Sequence, residues 1–296
     1  VIAVEVRKVD ILFPPTAVST RRARTALHRA LKALDAGQTR AAIAEQTGVI
    51  LGISNANLTI ARGEISVLMG LSGSGKSTLL RAINGLNPVT RGEVLVRDGD
   101  SMVDIAHCDA AALRRVRRER VAMVFQQFAL LPWRTVRENV GFGLELRGEP
   151  SEQRRRIVEE QLELVGLSQW ADRHCDELSG GMQQRVGLAR ALATNAEILL
   201  MDEPFSALDP LIRHKLQDEL LALQERLHKT IIFVSHDLEE ALKLGDRVSI
   251  LEGGRIVQTG TAREIVEHPV DDYVAEFVRR VNPNTAFKQC SAQLAT

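Results

Sequence analysis

The chain has 296 residues, room for one large domain or two small ones with a real hydrophobic core. Its 38 basic side chains balance 38 acidic ones and aromatics make up 4%, which excludes a nucleic-acid binder working through bulk charge or base stacking. Cys108, Cys175 and Cys290 form no C-x-x-C pair and no metal-ligand spacing, and no apolar run approaches the ~18 residues that span a bilayer.

Residues 2–6, IAVEV, alternate as a strand does, and FPPT then breaks it. Residues 21–46 carry helical periodicity. Leu27, Leu31 and Leu34 share one face, Arg22, Arg29, Lys32 and Arg40 the other, and Gly37 and Thr39 divide the segment into two short helices. Such a basic face either meets nucleic acid or lipid headgroups or is simply solvated; the solvated reading is adopted. Between 49 and 69 strands are expected around VILGI, ANLTI and ISVLM, with turns at Asn55 and Arg62-Gly63. Glycine-rich residues 70–75 lead into a helix from Lys76 to about Asn84. NPVTRGEVLV reads as a turn and a strand. Residues 110–119 read as a charged helix with Leu113 and Val116 on its apolar side, and VAMVFQ as a short strand.

From 127 to about 194 the pattern is mostly helical. Beyond it come a strand in EILLMDEP, a helix over about 210–227, a strand in TIIFVSH and a helix over 237–244. A hairpin, RVSILEGGRIVQTG, turns at Gly253-Gly254, a helix lies near 271–280, and a polar tail covers 282–296. Strands alternating with helices imply an α/β core with a mostly parallel sheet. The helical block interrupts that alternation as an inserted subdomain.

The chemistry concentrates in a few places. Gly70-x-x-x-x-Gly75-Lys76-Ser77 follows a strand and opens a helix, the setting of a phosphate-binding P-loop. The expected nucleotide contacts are Gly70, Leu71, Ser72, Gly73, Ser74, Gly75, Lys76, Ser77 and Thr78. Backbone amides wrap the phosphates, Lys76 neutralises the β- and γ-oxygens, and the Ser77 hydroxyl ligates Mg²⁺. EILLMDEP ends in Asp202, a further Mg²⁺ residue, and Glu203, placed to accept a proton from attacking water. Gln126 ends VAMVF and can ligate Mg²⁺ and orient water, though a polar residue at a strand end is also ordinary. His236 ends IIFVS and can reach a γ-phosphate, or it is a plain structural histidine. In DELSGGMQQRVGLARAL, Ser179 is an N-cap followed by Gly180 and Gly181, a second helix end suited to phosphate.

P-loop, Gln after a strand, Leu-Ser-Gly-Gly, Asp-Glu, SALD, then His after a strand: in this order the motifs resemble the ATP-binding cassette (ABC) family, over about residues 49 to 270. The resemblance implies an α/β fold: a P-loop ABC nucleotide-binding domain with a RecA-like core, an antiparallel β subdomain and an inserted helical subdomain. It implies an ATPase domain over 1–281, with an N-terminal helical insertion at 15–48, a helical signature subdomain at 127–185, and the tail 282–296 outside it. ATP and Mg²⁺ are the implied ligands. Glu203, His236 and Gln126 are the implied catalytic residues, and Ser77, Gln126 and Asp202 the implied Mg²⁺ residues. Two copies would pack head to tail, Ser179, Gly180 and Gly181 of one capping the γ-phosphate held by Gly70–Thr78 of the other, with Asp209 at the seam. Met182 stands where glutamine is common in the signature. Adenine usually stacks on an aromatic upstream of the P-loop. Phe13 is the only one before Lys76, and it either stacks on the base or is plain core.

The insertion ending IAEQTGVILGI, the signature, and DEPFSALDPLIRHKLQDELLALQ together look like ATPase subunits of importers for quaternary amines such as choline, glycine betaine and proline betaine. That likeness implies ATP hydrolysis coupled to uptake through separate integral-membrane permease subunits. It also implies a periplasmic or lipid-anchored substrate-binding protein, a peripheral place on the cytoplasmic face of the cell membrane, and no nucleic-acid partner. The alternative is a taurine, sulfonate or nitrate importer, because LLPWRTVRENV also resembles those ATPases, which usually lack the 15–48 insertion.

Overall fold

The computed structural model describes residues 1–15, 19–206 and 208–279. The expected tail 282–296 and Cys290 lie outside the described residues. The N-terminal part is an antiparallel sheet of β1 (Ile2–Phe13), β2 (Ile50–Ala61), β4 (Arg91–Asp98) and β5 (Ser101–Asp104), in the order β2-β1-β4-β5. Two elements here differ from expectation. β1 runs through to Phe13 instead of stopping near residue 6, and Asn55 is no turn but a point inside one continuous strand, β2. Both strands absorb their polar residues as irregularities. Lys8 and Asn55 take φ of 48° and 47°, and the amides that leave the ladder there find side chains instead. Lys8 N donates to Asn57 Oδ1 at 3.0 Å and Asn55 N to Asp10 Oδ1 at 2.7 Å. A satisfied bulge bends a strand without ending it. β5 was not anticipated.

Between β1 and β2 the chain forms α1 (Thr20–Asp35) and α2 (Arg40–Thr47), two short helices as expected. The Thr39 side chain caps α2 by accepting from Ala42 N. Buried Ala30, Ala33 and Ile43 pack on Leu12, Val49 and Leu51, with Leu27, Leu31 and Leu34 half-buried beside them. Arg22, Arg29 and Lys32 face solvent; Arg40 does not simply do so, and its partner is described below.

The second sheet holds β3 (Ile65–Met69), β6 (Val121–Val124), β7 (Ile198–Asp202), β8 (Thr230–Val234), β9 (Arg247–Glu252) and β10 (Arg255–Gly260), ordered β10-β9-β3-β8-β7-β6. Every pairing but β9 with β10 is parallel. β3, β7 and β8 are largely apolar, and every residue in them is buried because both faces are covered. Alternation assigns the faces. Leu199 and Met201 join the core shared with the helices, whereas Ile198 and Leu200 join the core shared with the antiparallel sheet. The helices of this part are α3 (Lys76–Ile83), α4 (Ala110–Glu119), α8 (Pro210–Leu227) and α9 (Leu238–Leu244). They are followed by α10 (Ala262–Glu267), which was not anticipated, and α11 (Asp272–Arg279).

The helical block is α5 (Val136–Arg147), α6 (Ser151–Leu164) and α7 (Gly180–Ala193). Residues 127–134 depart from the mostly helical pattern expected from residue 127 onward and are not helical. Phe128 and Ala129 take φ of 59° and 46°, which no right-handed helix accommodates.

Candidate functional site

Parallel register brings the carboxyl ends of four strands to one edge. Leu68 pairs with Val234, Val234 with Asp202, and Met201 with Val124. The chain leaves that edge through the glycine loop after β3, through Gln126 after β6, through Asp202-Glu203 at the end of β7 and through Ser235-His236 after β8. Residues from four distant parts of the sequence therefore meet in one crevice, the place where open α/β sheets bind ligands.

The loop 70–75 can be built only with glycine at its ends. Gly70 has φ 146°, and a Cβ there would strike the Leu251 carbonyl oxygen. Gly75 has φ 104°, and a Cβ would stand 2.7 Å from the Gly52 carbonyl oxygen. Gly75 is also the N-cap of α3, with no side-chain cap, so the first-turn amides are open to an external acceptor. Lys76 is only 6% exposed. Its Nζ donates to the carbonyl oxygens of Gly70 at 2.8 Å and Leu71 at 3.0 Å. Burial lowers its pKa, against the pull of the Glu203 and Asp202 carboxylates. Ser74 Oγ is buried without a hydrogen-bond partner. Open helix amides, a buried ammonium and an unsatisfied hydroxyl fit a polyphosphate.

Asp202 is fully buried. Its Oδ1 accepts from Ser77 Oγ at 2.6 Å, and its Oδ2 accepts from Arg81 Nε at 3.1 Å and Nη2 at 2.8 Å. Among the described residues no group of three or more His, Cys, Asp or Glu could hold a metal ion. Ser77, Asp202 and Gln126 instead offer a partial oxygen set, which suits Mg²⁺, an ion bound through one or two carboxylates together with substrate phosphates.

Glu203, Gln126 and His236 are brought together. Glu203 Oε2 accepts from Gln126 Nε2 at 3.0 Å and lies 3.9 Å from His236 Nδ1. Glu203 sits at φ 50°, a left-handed backbone costing about 1–3 kcal/mol that surrounding structure must hold. Phe13, at the end of β1, is half-buried. A Cβ on Gly52 would lie 2.8 Å from Phe13 Cε2 and 3.1 Å from Thr78 Cγ2, so the ring stands beside the P-loop helix.

The signature residues are not brought to the loop. Ser179 and Gly180 face solvent and Gly181 is half-exposed. Ser179 Oγ accepts from Met182 N at 3.4 Å, and among the described residues no hydrogen bond joins Ser179–Gly181 to Gly70–Thr78. Asp209 caps α8, accepting from Ile212 N at 3.0 Å.

Sequence reasoning missed four residues here. Arg81 holds Asp202. Gln184, 3% exposed, donates to the Glu203 carbonyl oxygen at 3.2 Å. Arg190 donates to the carbonyls of Ala129 at 2.7 Å and Phe128 at 2.8 Å, which stabilises their left-handed turn. Tyr273 of α11 accepts from Leu71 N at 3.4 Å and donates to Leu251 O at 3.2 Å. Of these only Gln184 carried a signal, a polar side chain among the buried positions of its helix.

A family model described as "ABC transporter" matches residues 53–206. The chain is 54% identical, over 88% of its length, to the glycine betaine/proline betaine transport system ATP-binding protein ProV of Escherichia coli (strain K12), and spans 64% of that relative's length. It is 44% identical, over 76% of its length, to the choline transport ATP-binding protein OpuBA of Bacillus subtilis (strain 168), spanning 58% of it. Among solved structures it resembles a dimeric structure of a post-hydrolysis state of the ATP-binding cassette MJ0796 bound to ADP and Pi. The TM-score is 0.72 at 32% identity, covering 88% of this chain and 99% of that one.

Proposed function

Because the chain belongs to the ABC transporter family, we propose that it hydrolyses ATP in a head-to-tail dimer and thereby drives uptake of a quaternary amine through separate permease subunits. The observation that carries this reading is the convergence of the glycine loop, Asp202-Glu203, Gln126 and His236 on one sheet edge. Residues 1–281 act as the ATPase domain, with 15–48 as its N-terminal insertion and 127–185 as its signature subdomain. The amides of 70–78 and Lys76 bind the β- and γ-phosphates. Ser77, Asp202 and Gln126 hold Mg²⁺, which neutralises charge on the phosphate oxygens. Glu203 takes the proton of the attacking water, and His236 steadies the γ-phosphate. Phe13 stacks on adenine; its place beside Thr78 supports this.

Ser179, Gly180 and Gly181 cap the γ-phosphate on a second copy, with Asp209 at the seam. Their exposure in one copy supports that role. The permease meets the surface around Gln126–Arg134, where Trp133 is 70% exposed. No helix of the described residues is long and apolar enough to cross a membrane, in keeping with a peripheral place on the cytoplasmic face of the cell membrane. A periplasmic or lipid-anchored binding protein delivers the cargo. Higher identity to the betaine than to the choline relative favours a betaine.

The test is uptake of labelled glycine betaine, choline and taurine in cells deleted for this chain, complemented with wild type or Lys76→Ala. Rescue of betaine or choline uptake by wild type alone supports the reading. Rescue of taurine alone moves the cargo to the sulfonate class. Rescue by Lys76→Ala overturns the role of the P-loop.

A further inference from the structure

The helix pair inserted between β1 and β2 is fastened to the phosphate loop. At its base, a Cβ on Gly48 would stand 3.1 Å from Pro15 Cγ, so the outgoing and returning strands close tightly. At the C-terminal end of α1, Asp35 pairs with Arg91 at 2.8 Å, and the same guanidinium holds buried Asp10 at 2.6 Å. The third fastening is Arg40, the first residue of α2. Its Nη1 donates to the carbonyl oxygen of Gly73 at 2.9 Å, and among the described residues no other side chain donates to that oxygen.

Gly73 lies at the exposed crest of the phosphate loop. Its carbonyl and the Ser74 N–H belong to one planar peptide and point opposite ways. The Ser74 N–H donates to Leu71 O at 3.1 Å. Arg40 on one side and the turn on the other therefore fix the same peptide plane, and with it the direction of the amides that follow. Three separate elements grip this short loop. Arg40 of α2 takes Gly73, Gly254 N of the β9–β10 hairpin takes Ser74 O at 3.0 Å, and Tyr273 of α11 takes Leu71 N. The grip of Arg40 is the one carrying a full charge, and a charge-assisted bond is the stronger kind.

We propose that Arg40 is a positioning residue for nucleotide binding, and that through it the α1–α2 insertion is coupled to occupancy of the phosphate loop. This rests on the nucleotide-site reading above. A docked insertion holds the loop ready for a nucleoside triphosphate, and a bound triphosphate holds the insertion down. The coupling is reciprocal because it is one free energy.

The experiment is amide hydrogen exchange of the whole chain with and without Mg²⁺ and a non-hydrolysable ATP analogue, alongside the Kd of that analogue. In wild type, exchange should slow both over 70–80 and over 20–47. In Arg40→Ala the saturated loop should still be protected while 20–47 is not, with Kd raised by about 3- to 10-fold. Arg40→Lys should restore part of both effects, which a general loss of packing would not allow. Protection of the loop in wild type with no change over 20–47 overturns the coupling, as does an unaltered Kd in Arg40→Ala. Wild-type loop amides as unprotected as those of Lys76→Ala would instead bring down the nucleotide-site reading itself.

Discussion

Gly52→Ala tests how the antiparallel sheet supports the nucleotide site. A methyl at this position would lie 2.8 Å from Phe13 Cε2, 3.1 Å from Thr78 Cγ2 and 3.2 Å from the Ile11 carbonyl oxygen. The first is closer than a Cβ ever stands and the other two are tight, and the Phe13 ring is the neighbour free to swing clear. Overpacking of this size costs about 1–3 kcal/mol. Reduced freedom of the unfolded chain returns about 0.4–1 kcal/mol, since Gly52 does not need a left-handed φ. The net loss, about 1 kcal/mol and at most about 2.5, should lower Tm by roughly 1–4 °C. The displaced ring should weaken binding of an ATP analogue by about 3- to 10-fold, while inorganic tripolyphosphate, which has no base, loses less. Thermal unfolding and equilibrium titration measure both. In a Phe13→Ala background the cost of Gly52→Ala should shrink by about 1 kcal/mol, because the obstructing atom is gone. An undiminished cost in that background, or equal weakening of the ATP analogue and tripolyphosphate, would refute the placement of Phe13 at the base end of the site.

Three further outcomes are expected. Glu203→Gln should keep ATP binding, lose turnover and run as a dimer in gel filtration with ATP; a monomer under those conditions removes the roles given to Glu203 and Ser179. Arg190→Met strips the bonds to the Phe128 and Ala129 carbonyls, so it should cost about 1–3 kcal/mol, speed proteolysis within 127–134 and slow ATP turnover; an unchanged cleavage rate there contradicts the clamp. Burial raises the Glu240 carboxyl above its ordinary 4.5, with hydrogen bonds from Ser235 and Gln217 drawing it partly back. A carboxyl raised on folding stabilises the native state fully below its unfolded pKa and loses that contribution as pH rises through the folded one. Urea unfolding should therefore show Glu240→Gln gaining on wild type between pH 4.5 and 7, and a constant difference across that range would contradict the raised pKa.

The parts of this site that could be read from the residues are those whose local geometry leaves few options. Gly70 and Gly75 are required by a loop that folds back on Leu251 and Gly52, so their spacing survives as a motif. Asp202 ends a run of buried residues and so marks a strand end in plain view. Gln126 and His236 carry no such mark, and gain meaning only from register: β6, β7 and β8 lie side by side in parallel, which places their following residues around Glu203. The misjudged elements share a different cause. Lys8, Asn55, Phe128 and Ala129 are non-glycine residues at positive φ, held there by partners distant in sequence such as Asn57, Asp10 and Arg190. Periodicity assumes ordinary backbone and cannot foresee them. Arg40 looked like one of four cations on a solvated face because its partner is a backbone carbonyl, which leaves no trace in side-chain pattern.

The same blindness hid the role of α7. Its first turn presents Ser179 and Gly180 outward, and this much the Leu-Ser-Gly-Gly run announced. Its body does something the run does not disclose. One turn on, Gln184 holds the carbonyl of Glu203, and two turns further Arg190 holds the loop that follows Gln126. One rigid helix thus touches the strained backbone of Glu203 and the loop that follows Gln126, and it carries the exposed Ser179 and Gly180 at its start. On the function proposed above, a permease that displaced the 127–134 loop would act on α7, which bonds Glu203 through Gln184 and carries Ser179 at its start. On that proposed reading, hydrolysis and dimer closure would need no separate linkage, because one helix joins the residues assigned to each.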